Sequence, residues 1–290
     1  MSRLRLQLHE KLYLALAGAL GAALAWQRGL ACITLMVAGA TLAYIVVMRL
    51  SAPGSRARLL AMLVFTWVLY NGSTPVIDAL QGPRHHATLL GWDRWFLGET
   101  PSIVWQGRLP SVVGDVLSVA YLSYQGYVHW AFVAGWFLAA ELRSRFMQII
   151  GVAFVVGFGC YVAFPALTPA NAFPGLYEAP VPGGFLTRLN ELLNAGMAAR
   201  YDAFPSMHVL ITAMLLTWDW RHERRRFWVM LGPAVLMTVG TLYLRLHYAV
   251  DLLGSLVLYL LLDGLFRGLS LYDASHGAGS SSSPPSPARA

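Results

Sequence analysis

The sequence predicts an all-α, polytopic membrane bundle of six to eight transmembrane helices, and three observations lead there. Hydrophobic residues make up 57% of the 290 positions and charged residues only 12%, where soluble domains carry roughly a quarter charged. That bias is carried by long apolar runs and not by a scattered excess. Arginines collect between the runs, where topology determinants and lipid-headgroup contacts belong. The net charge of +7 is therefore read as membrane topology, and no nucleic-acid partner is expected.

Eight runs are candidate spans. The first, 12–26, lies in "MSRLRLQLHEKLYLALAGALGAALAW", whose basic start and Ala-rich core imitate a signal peptide. A second run, 30–48, follows almost at once, so the first is read as a retained span. Only "QRG" separates the two, which predicts an N-terminal two-helix hairpin over 1–58. Runs at 59–79, 113–139, 146–164, 206–220, 227–243 and 248–266 then form one membrane unit over 59–266. Several of the eight fall short of the roughly 20 residues a bilayer core requires. The run at 113–139 is long, and Gly126 offers a place to break or tilt it. Two longer connections, 80–112 and 165–205, interrupt the series. Within the second, "FLTRLNELLNAGM" has apolar residues at helical spacing and predicts a short interfacial helix. The segment 267–290 is low-complexity and predicted to be disordered. Cys32 and Cys160 sit in separate apolar runs and spell neither a metal motif nor a disulfide framework; each reads as a small apolar filler.

A cytoplasmic N-terminus places Arg3, Arg5, Lys11, Arg49, Arg56, Arg58, Arg143 and Arg145 on one side. The "RHERRR" loop and Arg267 join them there, which satisfies the positive-inside rule. Both termini are then cytoplasmic, and both long connections face outward, together with the helix mouths near 206 and 248. In a bacterial inner (plasma) membrane that is the periplasmic face.

The chemistry gathers at those two mouths. In "LRLHYAVDLLG" His247 and Asp251 are four residues apart, on one face of a helix start. A carboxylate one turn from an imidazole accepts its ring N–H and leaves the other nitrogen free as a nucleophile. Arg245 offers a planar fork suited to phosphate oxygens, and Gly254 lets a neighbouring helix approach. In "YDAFPSMH" Pro205 suits a helix start, and the N–H groups at and after Ser206 form an anion site. His208, in the first turn, is placed to pass a proton to a departing oxygen. A single histidine at a membrane boundary is more often a packing residue. Ionisable groups in spans are costly enough, however, to count as functional candidates, and the joint pattern is much more specific.

Other polar residues carry blander readings. His85 and His86 are adjacent and diverge, and no metal site is expected. Asp78, Asp93 and Glu99 read as solvated loop residues, with contact to a polar headgroup as the less favoured alternative. Tyr121, Tyr124 and Tyr127 read as an interfacial belt or packing stripe, with a substrate cleft as the less favoured alternative.

The motifs "FPSMH" and "RLHYAVDLLG" resemble the second and third signatures of the type 2 phosphatidic acid phosphatase (PAP2) superfamily. The resemblance implies a helical membrane core, metal- and cofactor-free phosphoester chemistry and a covalent phosphohistidine. It implies His247 as nucleophile, Asp251 as its orienting partner and His208 as acid/base, with Arg245 and Ser206 binding phosphate. The superfamily's first signature, a lysine followed six residues later by arginine–proline, is missing: the one lysine, Lys11, lies far away. That absence, with "WDRWFLGETPS" and "LAYLSY", is similar to the branch of inositol phosphorylceramide synthase. Arg94 or Arg200 is then expected to supply the remaining charge. The implied activity is a lipid phosphatase or a phosphotransferase, with a membrane lipid as substrate and water or a small alcohol such as inositol as acceptor. A transporter or flippase holding an anionic headgroup, or a haem protein using His208 and His247 as axial ligands, is the alternative. The first needs polar groups at both faces, and the second leaves Arg245 and Asp251 without a task.

Overall fold

A computed structural model of the chain describes residues 5–29, 31–196 and 199–272. All its regular elements are helical. They run α1 (Leu8–Arg28), α2 (Cys32–Leu50), α3 (Arg56–Leu80), α4 (His86–Leu97), the single turn α5 (Pro101–Val104) and α6 (Ser111–Phe137). Then come α7 (Ala140–Ala163), the single turn α8 (Pro169–Ala172), α9 (Phe185–Gly196), α10 (Met207–His222), α11 (Arg224–Tyr243) and α12 (Ala249–Gly268). Each of the eight apolar runs has become a helix displaced by a few residues at most. Five of them, α2, α3, α7, α11 and α12, are long and apolar enough to cross a membrane. Large apolar side chains such as Leu42, Val133 and Leu261 are exposed along the helices, as suits a surface solvated by lipid tails and not by water. The chain is an all-α integral membrane bundle.

α10 is the central post. It packs on α7, α11, α12 and α6 and buries Leu210, Ile211, Met214 and Trp218. The first helix does not stand apart with α2: it packs on α7 and α3 as well, and Tyr13 and Leu24 are wholly buried. α9 forms where helical spacing predicted it and lies on α6. Gly126 does not break α6, which runs unbroken through it from Ser111 to Phe137. Gly54, at φ +72°, turns the chain between α2 and α3; a Cβ there would stand 2.1 Å from the Ala140 carbonyl oxygen. The segment predicted to be disordered, 267–290, is ordered at its start: Arg267 lies in the last turn of α12 and pairs with Asp263, and Tyr272 is buried under Arg221; residues 273–290 lie outside the described residues.

Polar groups are buried at both ends of the bundle, not only at the end that carries His208. At the end opposite His208, Arg58 and Glu10 pair at 2.9 Å with almost no exposure. Arg58 also donates to the carbonyls of Met48 and Ser51, so one guanidinium joins α1 and α3 to the end of α2. Asp219 of α10 accepts from Arg226 Nε of α11 and from the Tyr127 hydroxyl of α6, each at 2.7 Å. A fork geometry of this kind satisfies both partners where water is absent. Loss of one partner strands the other as an uncompensated buried charge. Glu10→Ala is expected to cost about 3–5 kcal/mol, against about 0.5 kcal/mol or less for Glu141→Ala in the exposed Glu141–Arg145 pair. Thermal unfolding in detergent checks the contrast.

Candidate active site

The two helix mouths meet. α12 is started by residues 244–248, which turn back on α11: the N–H groups of Leu246 and His247 both donate to the Thr241 carbonyl. Arg245 takes φ +64° in that turn, a left-handed conformation that costs a non-glycine residue about 1–3 kcal/mol. Its carbonyl accepts from the Ala170 N–H, so the 165–172 segment holds the strained turn in place. The strain aims the Arg245 guanidinium over the Tyr177 ring, 4.2 Å from its centroid.

The start of α12 is capped from a distance. Asp93 of α4, expected to be solvated, is fully buried. Its carboxylate accepts from the N–H groups of Val250 at 2.9 Å and Ala249 at 3.0 Å, and from the Thr100 hydroxyl. This N-cap comes from more than 150 residues away in the chain, satisfying donors that helix starts leave open. Asp251, one residue further, accepts from the Tyr248 N–H at 2.8 Å.

His247 is oriented by two acceptors. Its Nδ1 lies 2.8 Å from the Ala203 carbonyl oxygen and 3.4 Å from Asp251 Oδ2. Asp251 was expected to be the orienting partner; the nearer one is a backbone carbonyl that no motif advertises. A carbonyl can only accept, so Nδ1 carries the proton and Nε2 keeps its lone pair. That Nε2 points to His208 Nδ1 at 3.4 Å.

His208 is set by the start of α10. Ser206 is the N-cap, so Pro205 stands one position outside the helix and not in its first turn. Ser206 is fully buried and its hydroxyl has no hydrogen-bond partner, while its carbonyl accepts from Ser255 Oγ of α12 at 3.0 Å. Two glycines admit this segment. A Cβ on Gly157 would stand 1.9 Å from Met207 Sδ, and one on Gly254 would stand 2.4 Å from the Phe204 ring. Gly254 therefore makes room for a loop side chain and not for a neighbouring helix.

A cavity of about 330 Å³ opens over the paired histidines. His208, Arg245 and His247 line it, as do Asn190, Glu191 and Asn194 of α9. Arg94 and Arg200 are not among its lining residues. The Arg94 side chain is paired with Glu99 at 3.0 Å, and Arg200 is exposed. Among the lining residues Arg245 is the one arginine. Tyr121 and Tyr124, read as packing or belt residues, lie against His208 with ring centroids 4.6 and 4.5 Å away. Tyr127 is the one that packs away from the site, on Asp219. His85 and His86 diverge as expected, to Phe164 and Phe173.

Asp202, which sequence reasoning passed over, also lines the cavity. Its carboxylate accepts from the Tyr70 hydroxyl at 2.9 Å, and its backbone bridges Ala166. Its one signal was a carboxylate four residues before Ser206 in a stretch otherwise apolar.

An all-α membrane bundle with two histidines, a carboxylate and an arginine gathered at one end defines the class: an integral membrane protein with a polar cavity at the end of its helices. The sequence model of the PAP2 superfamily matches residues 87–264, and the chain belongs to that superfamily. The match spans Asp93, His208, Arg245, His247 and Asp251. No curated protein and no solved structure matches the chain. Membership points to phosphatase or phosphotransferase activity.

Burial pushes the Asp202 carboxyl above the ordinary carboxylate value of 3.8, against the pull of His247 and of Tyr70. A carboxyl raised on folding binds its proton more tightly folded than unfolded, so stability falls as pH climbs from 3.8 through the raised value. Asp202→Asn removes that loss. Its melting midpoint in detergent is expected to exceed the wild type's near pH 7, with the gap closing toward pH 4.

Proposed function

We propose that the protein is a membrane phosphatase or phosphotransferase that acts on a lipid phosphoester at the outer leaflet through a phosphohistidine on His247. The observation that carries this reading is the orientation of His247. Its Nδ1–H is turned to the Ala203 carbonyl and Asp251, and its Nε2 lone pair is turned toward the cavity beside His208. Nε2 attacks phosphorus as the P–O bond to the leaving group breaks. His208 enters this step protonated and gives its proton to the departing oxygen. Asp251, 3.4 Å from Nδ1, stabilises the imidazolium character that develops on the ring. Arg245 and the N–H groups at the start of α10 balance the phosphoryl oxygens, and the Ser206 hydroxyl is the remaining donor nearby.

The second half returns the enzyme. An acceptor hydroxyl attacks phosphorus, the P–N bond breaks toward Nε2, and His208 takes the acceptor's proton. Water makes the enzyme a phosphatase and an alcohol makes it a transferase. Asn190, Glu191, Asn194 and Gln125 along the cavity support an alcohol with several hydroxyls, such as inositol. The missing lysine–arginine signature supports the branch resembling inositol phosphorylceramide synthase. Every charge used is a protein group, so the reaction is assigned no metal. The distribution of arginines supports cytoplasmic termini and a site on the outer, periplasmic face of a bacterial inner membrane.

Purified protein in detergent with EDTA is expected to release phosphate, or a headgroup-exchanged lipid, from lipid phosphoesters. His247→Ala is expected to lower that rate by at least about a thousandfold. Retention of ³²P on the protein after acid-free denaturation, lost in His247→Ala, reports the covalent step; full activity of the variant would remove His247 from the chemistry. For topology, Cys32→Ala and Cys160→Ala give a background in which Arg188→Cys, exposed on α9, is expected to react with an impermeant maleimide from outside. Arg225→Cys should react only after the membrane is opened.

A further inference from the structure

A groove of about 610 Å³ runs along the flank of the bundle at the end opposite His208. Its floor is α10, and its walls are α11 and α12, each of which packs on α10. Ala213, Leu216, Thr217, Trp220 and Arg221 line it from α10; their spacing of i, i+3, i+4, i+7 and i+8 is one helix face. α10 and α12 both run away from the histidine mouths, so position along either helix measures depth from the far end. The lining changes character in order. Arg221 of α10 and Arg267 of α12 stand at the far end. One turn deeper, about 6 Å at the helical rise, Thr217 meets Tyr259 of α12, hydroxyl to hydroxyl at 2.8 Å. Deeper still come Ala213 and Leu256. From Arg221 to Ala213 the floor is about 12 Å long.

The two polar levels have capacity to spare. Arg221 is exposed, lies over Tyr272 at 4.4 Å from the ring centroid, and has no carboxylate partner among the described residues. Arg267 pairs through Nε and Nη2 with Oδ2 of Asp263, both at 2.7 Å, which leaves Nη1 without a partner among the described residues. Two hydroxyls that share one hydrogen bond keep one proton for an outside acceptor, and Thr217 with Tyr259 is such a pair. The exposed charges at this end are Arg221, Arg224, Arg225 and Arg267 against Glu223. Trp220 and Trp228 are exposed beside them, with Arg224 lying 3.3 Å over the Trp220 ring. Exposed tryptophans at a helix end mark the boundary between lipid and water.

We propose that this groove binds one anionic phospholipid, with its phosphate between Arg221 and Arg267, an ester carbonyl at the Thr217–Tyr259 pair and the start of a chain along Ala213 and Leu256. The order guanidinium, hydroxyl, hydrocarbon along the groove matches the order phosphate, ester, chain along such a lipid. The volume falls within the roughly 300–1,000 Å³ of small-molecule sites, and the rest of the chains stays in the bilayer. Basic pockets between membrane helices attract anionic headgroups, whereas a zwitterion brings a cation that the arginines repel. None of the lining residues also lines the catalytic cavity, so the proposal stands or falls apart from the phosphotransfer reading. The bound lipid bridges the far ends of α10, which carries His208, and α12, which carries Asp251, and it stabilises the fold by mass action.

Native mass spectrometry and thermal unfolding of the full chain, purified in detergent and stripped of lipid, test the site. The protein is titrated with phosphatidylglycerol or with phosphatidylcholine of the same chains. The expected result is one phosphatidylglycerol held at least about fivefold more tightly than phosphatidylcholine, with a Tm that rises with its concentration. Arg221→Gln is expected to weaken that binding about fivefold, the share of one arginine near a lipid surface. Leu256→Trp, which fills the apolar part of the groove, is expected to weaken it at least about fourfold, the loss of one seated methylene. Arg225→Gln, in the same loop but outside the groove, is expected to leave it unchanged. Equal retention of the two lipids overturns the proposal, as does an equal loss in Arg225→Gln and Arg221→Gln, which would make the arginines a diffuse surface charge. Glycerol 3-phosphate that raises Tm as far as phosphatidylglycerol does would leave a site for a soluble phosphate and overturn the lipid. A dimer that Leu256→Trp breaks would put a second copy of the chain in the groove and overturn it as well.

Discussion

The carbonyl of Ala203 stands 2.8 Å from Nδ1 of His247, and most of the site's geometry follows from that contact. It selects the tautomer, fixes the ring plane and leaves Nε2 for chemistry. The carbonyl can do this because its segment is pinned on both sides. The Ala203 N–H donates to Ala166, and three residues on Ser206 caps α10. Move the 201–206 segment, and His247 loses its nearest acceptor while His208 loses its place opposite.

The two ends of the bundle solve different problems with the same residue types. At the end opposite His208, Arg58–Glu10 and Arg226–Asp219 are closed pairs with their hydrogen-bonding capacity spent on one another and on neighbouring groups. Such pairs hold helix ends in register and have nothing left for a ligand. At the end that carries His208, some polar groups are left with capacity. Ser206 Oγ and Asp251 Oδ1 are buried without hydrogen-bond partners, and Nε2 of His247 faces a cavity. Unspent hydrogen-bonding capacity in a buried place is expensive; it also occurs at the other end, on His9 and Asp263, but only beside His208 does it adjoin the cavity that His247 lines. Arg245 holds its strained φ at that same end. There the surroundings sustain a conformation that the residue alone would not adopt.

Capping links the fold to that site. α12 carries Asp251 and follows His247 directly, and its first N–H groups are held by Asp93 of α4. α4 belongs to the long connection between α3 and α6, which on composition alone could be taken for a mere tether. Its Asp93 carboxylate instead sets where α12 begins, and Thr100 holds that carboxylate in turn. That connection thus helps to place His247 and Asp251.

Periodicity and apolar run length determined the eight long helices, because a bilayer demands long, internally hydrogen-bonded spans wherever they occur. Short motifs determined His208, Arg245, His247 and Asp251 as candidates, because their spacing is local to one helix start. What escaped was the set of contacts made across the chain: the Asp93 cap, the Ala203 carbonyl, the carboxylate of Asp202, and Tyr121 and Tyr124 against His208. A backbone carbonyl has no side-chain signature, and a lone Asp in a loop looks solvated until the helix it caps arrives. The same limit applied to Arg94 and Arg200, whose charge suited the gap left by the missing signature but whose positions lie off the cavity. The sequence alone could set which residues had the chemistry. Only the packing of α3, α6, α7, α10 and α12 decided which of them meet and how wide the space between them is, since distance across a fold depends on every helix in between.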